Sequence, residues 1–169
     1  MKLTVMPLTE EQIRTFVAWQ YSGAYAMYNM STEDMETQVR FFSDPENGYY
    51  AITDGQGELL GFCNFGADAR VPGGQYVAEA IDIGMGMRPD LTGKGRGAQY
   101  AQAVFDFASS HYRERQQRVT IAEFNLRAQR LCRKFGFSQQ SRFIRESDGK
   151  PFIIMVRDPQ NDKISDLRR

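Results

Sequence analysis

The sequence predicts a mixed α/β (α+β) fold, a largely antiparallel sheet with helices packed on its faces. Three observations predict it. Hairpin signals lie on both sides of the chain's middle, at Asp54-Gly55-Gln56-Gly57 and at Ser147-Asp148-Gly149-Lys150, each between strand candidates. Between them, one strand–turn–helix–strand passage runs from Ile81 to the Val119 strand and is long enough for a single parallel crossover. The resulting order, β-α-α-β-β-β-α-β-α-β-β, is neither βα alternation nor all-β.

Each element has a local reason. Lys2 to Pro7 alternates weakly and reads as a first strand. Thr9, followed by Glu10, Glu11 and Gln12, reads as an N-cap with an acidic first turn, opening a helix toward Trp19. An aromatic and methionine-rich connection, Tyr21 to Met30, leads to a second helix capped by Ser31 or Thr32, with Met35, Val39 and Phe42 on one face. Asp44-Pro45-Glu46-Asn47-Gly48 ends it. Tyr49 to Thr53 and Leu59 to Phe65 form the first hairpin, and Gly66 to Gln75 is a loop. Tyr76 to Met87 reads as a long strand, in which Gly84 and Gly86 mark a bulge or a close backbone approach. A helix from Gly97 to about His111, a strand from Arg118 to Phe124 and a helix from Leu126 to Lys134 follow, the last closed by Gly136. Phe137 to Glu146 and Pro151 to Val156 make the final hairpin. One domain is expected over 1–157, with a polar tail at 158–169.

Composition narrows the function. Lys plus Arg and Asp plus Glu number 21 each, so net charge gives no case for nucleic acid or a membrane surface as partner. No apolar run reaches spanning length, and the N-terminus lacks the apolar core of a signal peptide. Cys63 and Cys132 lie far apart with no CxxC motif and one histidine, His111, which points to reduced thiols in a cytoplasmic protein and to no bound metal.

The informative stretch is Ile81 to Ala108. Glycines at 93, 95 and 97 stand directly before a helix, so bare backbone and the helix's unpartnered N–H groups can cradle a phosphate or pyrophosphate. A nucleotide triphosphate loop fails, because Arg88 stands where it needs glycine and Gly95 where it needs Ser or Thr. A dinucleotide fingerprint matches Gly93, Gly95 and Ala98 in G-x-G-x-x-A, with Glu123 ending the next strand. Against it, Pro89 to Thr92 intervene between strand and glycines, and hairpins flank the unit.

A third reading joins two segments. The run M-x-P-x-x-x-G-x-G-x-G-A, Met87 to Ala98, resembles the acetyl-CoA loop of GNAT-type N-acetyltransferases. The later segment, Asn125 to Phe137, resembles that family's N-x-x-A-x-x-x-Y-x-x-x-G-F, with Cys132 in the tyrosine position. The resemblance implies a GNAT-like fold in which the one parallel strand pair splays apart to admit the cofactor. It implies acetyl transfer from acetyl-CoA to a primary amine by direct attack in a ternary complex. Carried over, the backbone of Met85, Gly86 and Met87 pairs with the pantetheine arm. Gly93, Lys94, Gly95, Arg96, Gly97 and Ala98 hold the pyrophosphate, and Asn125 steadies the pantetheine side. Asn125 also reads as a helix N-cap, and Lys94 and Arg96 also read as solvated surface.

For the chemistry, a backbone N–H near Met87 would hold the oxyanion. Asp82 is the first candidate for general base, ahead of Glu79 and Glu123. Cys132 is the candidate acid by position, although an inert buried thiol is the commoner fate; water or a tyrosine from the acceptor side is the other source. The resemblance also implies an acceptor site on Trp19, Tyr25 and Tyr28, with Tyr21, Met30, Phe143 and Phe152 as further candidates, for a small-molecule or peptide amine. A non-catalytic acyl-CoA sensor is the rival reading, because the tyrosine is missing. The strand edges of the last hairpin offer a route to a homodimer.

Overall fold

The computed structural model describes residues 1–112 and 115–158. Nearly all of the predicted tail, from 159 on, lies outside the described residues. Seven strands form one sheet: β1 (Thr4–Pro7), β2 (Tyr49–Thr53), β3 (Leu59–Phe65), β4 (Ala80–Met87), β5 (Gln116–Ala122), β6 (Ser138–Ile144) and β7 (Pro151–Arg157). Their order is β1-β2-β3-β4-β5-β7-β6, and β4–β5 is the parallel pair. Among the described residues the α-helices are α1 (Glu10–Val17), α2 (Met35–Ser43), α3 (Gly97–His111) and α4 (Leu126–Lys134). Mixed sheet, single parallel crossover and flanking helices are as the sequence predicts.

Alternation along the strands explains the two layers. Ile52, Cys63, Phe65, Ile81, Ile83, Val119 and Ile121 turn to one face and pack with Tyr100, Ala101, Val104 and Phe105 of α3. Ala51 turns to the other face and joins Ile13, Phe16 and Val17 of α1 and Val39 and Phe42 of α2, with Phe62 packed against them. The N-cap of α1 is the predicted Thr9, which forms a capping box with Gln12. The second helix begins later than expected: Asp34, not Ser31 or Thr32, accepts from the backbone of Thr37. At the end of α4, Gly136 takes φ 88°, and the amides of Gly136 and Phe137 bond back to Arg133 and Cys132.

The fourth strand starts at Ala80, not Tyr76. Tyr76 is drawn off the strand by its own side chain. Its hydroxyl accepts from the Val71 amide at 2.9 Å and sits 2.9 Å from Thr120 Oγ1, while the Arg118 guanidinium lies 4.9 Å from its ring centre. The preceding loop is thereby tied to β5.

Candidate active site

The site begins where the sheet comes apart. Strands β4 and β5 pair over only three rungs, Ala80–Gln116, Ile81–Gln117 and Asp82–Arg118. Beyond Asp82, β4 continues against β3 while β5 continues against β7, so the facing edges diverge. The β3–β4 register shows which backbone groups the cleft receives. The amide of Arg88 donates to Leu60 O and that of Gly66 to Asp82 O, so the even-numbered residues of β4 bond to β3. By antiparallel alternation, the N–H and C=O of Met85 and Met87 face the opening. Gly84 and Gly86 are glycines for a separate reason. A Cβ on Gly86 would lie 2.5 Å from the Phe62 ring, and one on Gly84 would lie 2.2 Å from Asn64 Oδ1.

The cleft ends on the glycine turn. Gly93 and Gly95 have φ 71° and 73°, the left-handed region that side chains strain to occupy. Helix α3 then starts with no side-chain cap and no acidic residue in its first turn, so the positive end of its dipole is uncompensated. Lys94 and Arg96 are exposed beside it. The turn also has a basic neighbour that sequence reasoning missed. Arg127 Nη1 sits 2.8 Å from where a Cβ on Gly93 would be. Arg127 Nε donates to Tyr25 Oη at 2.8 Å, and the guanidinium lies 4.3 Å from the Tyr25 ring centre. Among the described residues, no carboxylate lies within 4.0 Å of Lys94, Arg96 or Arg127. Bare amides, an uncapped helix and three unpaired cations suit a pyrophosphate, and the open strand edge suits an amide-bearing arm.

A strap roofs the mouth. After α1 the chain passes Trp19 and forms a short 3₁₀ turn, Gly23–Tyr28. Trp19 packs inward against Phe16 and Phe62. The Tyr21 hydroxyl donates to Met87 O at 2.6 Å, anchoring the strap to β4. Tyr25 and Tyr28 meet Phe124, with ring centres 5.4 and 6.2 Å away, and Asn125 Nδ2 donates to Tyr28 Oη at 3.3 Å. The strap therefore spans from the β4 wall to the start of α4. Asn125 also caps that helix, accepting from the Ala128 amide at 3.1 Å. Burial pushes the phenols of Tyr21 and Tyr28 up, Tyr21 to about 12. Phe143 and Phe152, stacked at 5.8 Å, form part of the second hairpin.

The two catalytic candidates of the sequence have distinct surroundings. Asp82 is 2% exposed and grips Arg118, itself 1% exposed, through a bidentate pair at 2.6 and 2.8 Å; Arg70 adds a third contact at 2.8 Å. With both oxygens committed to guanidiniums, this carboxylate ties β4 to β5 at the last shared rung. By strand alternation Asp82 projects to the α1 side, and its rung is the last one before the strands part. Cys132 is 7% exposed and belongs to the core shared with α3. Burial raises its thiol to about 12, and its short side chain ends within that core. The other carboxylates are also taken: Glu123 pairs with Arg142 at 2.8 Å and Glu79 with Arg115 at 3.5 Å.

Residues 2–138 match the acetyltransferase (GNAT) domain family. The chain belongs to the GNAT acetyltransferase family. Solved structures agree on the fold. A spermidine N-acetyltransferase SpeG chimera from Vibrio cholerae and hSSAT superposes with a TM-score of 0.75 at 15% identity, covering 94% of this chain and 96% of that one. A GNAT-family acetyltransferase from Bacillus anthracis gives 0.71, also at 15% identity, over 94% and 96%. A comparison with curated protein sequences finds no match.

Proposed function

We propose that this acetyltransferase moves an acetyl group from acetyl-CoA to a primary amine by direct attack in a ternary complex, within one domain spanning 1–157. The observation that carries the reading is the three-rung β4–β5 ladder opening onto an uncapped, glycine-rich helix start. Acetyl-CoA supplies a thioester carbon activated for attack. Met85 and Met87 offer backbone groups to the pantetheine arm, and an N–H of this segment stabilises the developing oxyanion. Gly93 to Ala98, with Lys94, Arg96 and Arg127, hold the phosphates, and Asn125 borders the arm. The aromatic roof of Tyr25, Tyr28 and Phe124 receives the acceptor, a small-molecule or peptide amine with apolar or aromatic character. With Asp82, Glu79 and Glu123 paired, the amine's proton leaves through water. The buried free thiols of Cys63 and Cys132 favour a reducing, cytoplasmic setting.

The rival reading, an acyl-CoA sensor without turnover, draws on Cys132 and Asp82 being occupied elsewhere. Release of free CoA thiol across a panel of amines separates the two. Turnover with any amine supports the transferase, and saturable CoA binding without turnover supports the sensor. Absence of thermal stabilisation by CoA sinks both.

A further inference from the structure

We infer that Tyr21 is the proton donor to the departing thiolate, filling the role left vacant at position 132. The inference rests on the acetyl-transfer reading above. Position is the first argument. Tyr21 Oη reaches the carbonyl of Met87 at 2.6 Å, on the one stretch of β4 whose backbone faces the cleft. Among the described tyrosines it is the one bonded to that edge. Tyr25 accepts from Arg127, Tyr28 from Asn125, Tyr49 bonds to Asp68, Tyr76 lies against Thr120, and Tyr100 is fully buried.

Mounting is the second argument. Asn29 clips the base of the strap: its Oδ1 accepts from the Tyr21 amide at 2.6 Å and its Nδ2 donates to the Tyr21 carbonyl at 3.2 Å. Both backbone groups of Tyr21 are thus held by one side chain eight residues on, which fixes where the phenol can reach. Burial keeps the phenol protonated through the neutral range, so it enters the reaction as a donor.

The step balances. The neutral amine nitrogen bonds to the acetyl carbon as the carbon–sulfur bond breaks, and the sulfur's electron pair takes the Tyr21 proton. The proton shed by the nitrogen returns through water to the phenolate, so amide and free thiol form with no net proton change. An amide N–H arriving at the Met87 carbonyl frees the phenol O–H to turn toward the sulfur, and that carbonyl has two lone pairs to share in the interval.

Tyr21→Phe keeps the ring and removes the proton. Its kcat is expected to fall roughly a hundredfold, with CoA affinity little changed. An equilibrium readout is independent of turnover: the thiol pKa of bound CoA, followed by thiolate ultraviolet absorbance, should rise by about one unit in Tyr21→Phe, because a donor to the thiolate is lost. Asn29→Ala, which loosens the mount and leaves the phenol, should lose roughly tenfold in kcat. Unchanged kcat and unchanged bound-thiol pKa in Tyr21→Phe overturn the assignment, as does a hundredfold loss from Cys132→Ala. If Tyr21→Phe does not fold, an unaltered kcat in Asn29→Ala overturns it. A wild-type protein that binds no CoA and turns over no amine fails the acetyl-transfer reading instead, which keeps the two failures apart.

Discussion

The glycine turn and the aromatic strap face each other across one cleft and are built in opposite ways. The turn is a matter of backbone: Gly93 and Gly95 stand in the left-handed region, and its residues are chosen for what they lack. The strap works through side chains, each held by a specific partner far away in sequence, as Tyr21 is by Met87 and Tyr25 by Arg127. Backbone sites leave a local pattern that survives in any chain using them. Side-chain sites depend on which distant residues the fold brings together. The rivet between the two sheet halves, Asp82 with Arg118, belongs to neither and holds the point where the cleft begins.

Substitutions can break or sharpen that contrast. The largest effect on stability is expected at the rivet. Asp82→Asn leaves Arg118 buried and half-satisfied and should cost about 3–5 kcal/mol in urea unfolding. Its specific activity at temperatures where it stays folded should be retained. Full stability with lost kcat would return Asp82 to the role of base. Next, Gly93→Val imposes a strained φ and a contact with Arg127 at once. Isothermal titration should show CoA affinity down roughly a hundredfold, about 2.8 kcal/mol, with amine KM little altered.

Arg127→Gln tests the bridge between the halves, since its guanidinium touches both the turn and Tyr25. A loss of about tenfold in CoA affinity is expected, shrinking at high salt. A loss confined to amine KM would make Arg127 a strap residue alone. Thr9→Ala removes the capping box far from the cleft and should cost about 1 kcal/mol without touching kcat. Cys132→Ala should likewise leave kcat unchanged, and a large fall there would put the acid back on α4.

Legibility followed the same division. The hairpins were readable because Asp-Gly and Gly turns between alternating apolar runs act within a few residues. The glycine turn was readable because φ near +70° at Gly93 and Gly95 demands glycine wherever the rest of the chain goes. The cap function of Asn125 was legible for the same local reason. Tyr76 was misread as strand because its hydroxyl bonds to Val71 and Thr120, partners that periodicity does not register. Asp82 reads as a base because it is an acid on the strand that enters the cleft. Its ion pair with Arg118 emerges only when β4 and β5 align. Arg127 drew no notice, since an arginine on a polar helix face carries no sign of what it leans over.

By itself, then, the sequence determined the mixed sheet, the single crossover, the family and the glycine turn before α3, all consequences of short-range periodicity and backbone freedom. The tertiary structure alone decided which charged groups neutralise one another, which thiol is walled into the core, and which phenol arrives at the open edge of β4. Those outcomes depend on contacts 36 residues apart for Arg118 with Asp82 and 66 for Tyr21 with Met87. Packing distributes such partners according to where the sheet carries them, and no local pattern in the chain encodes that placement.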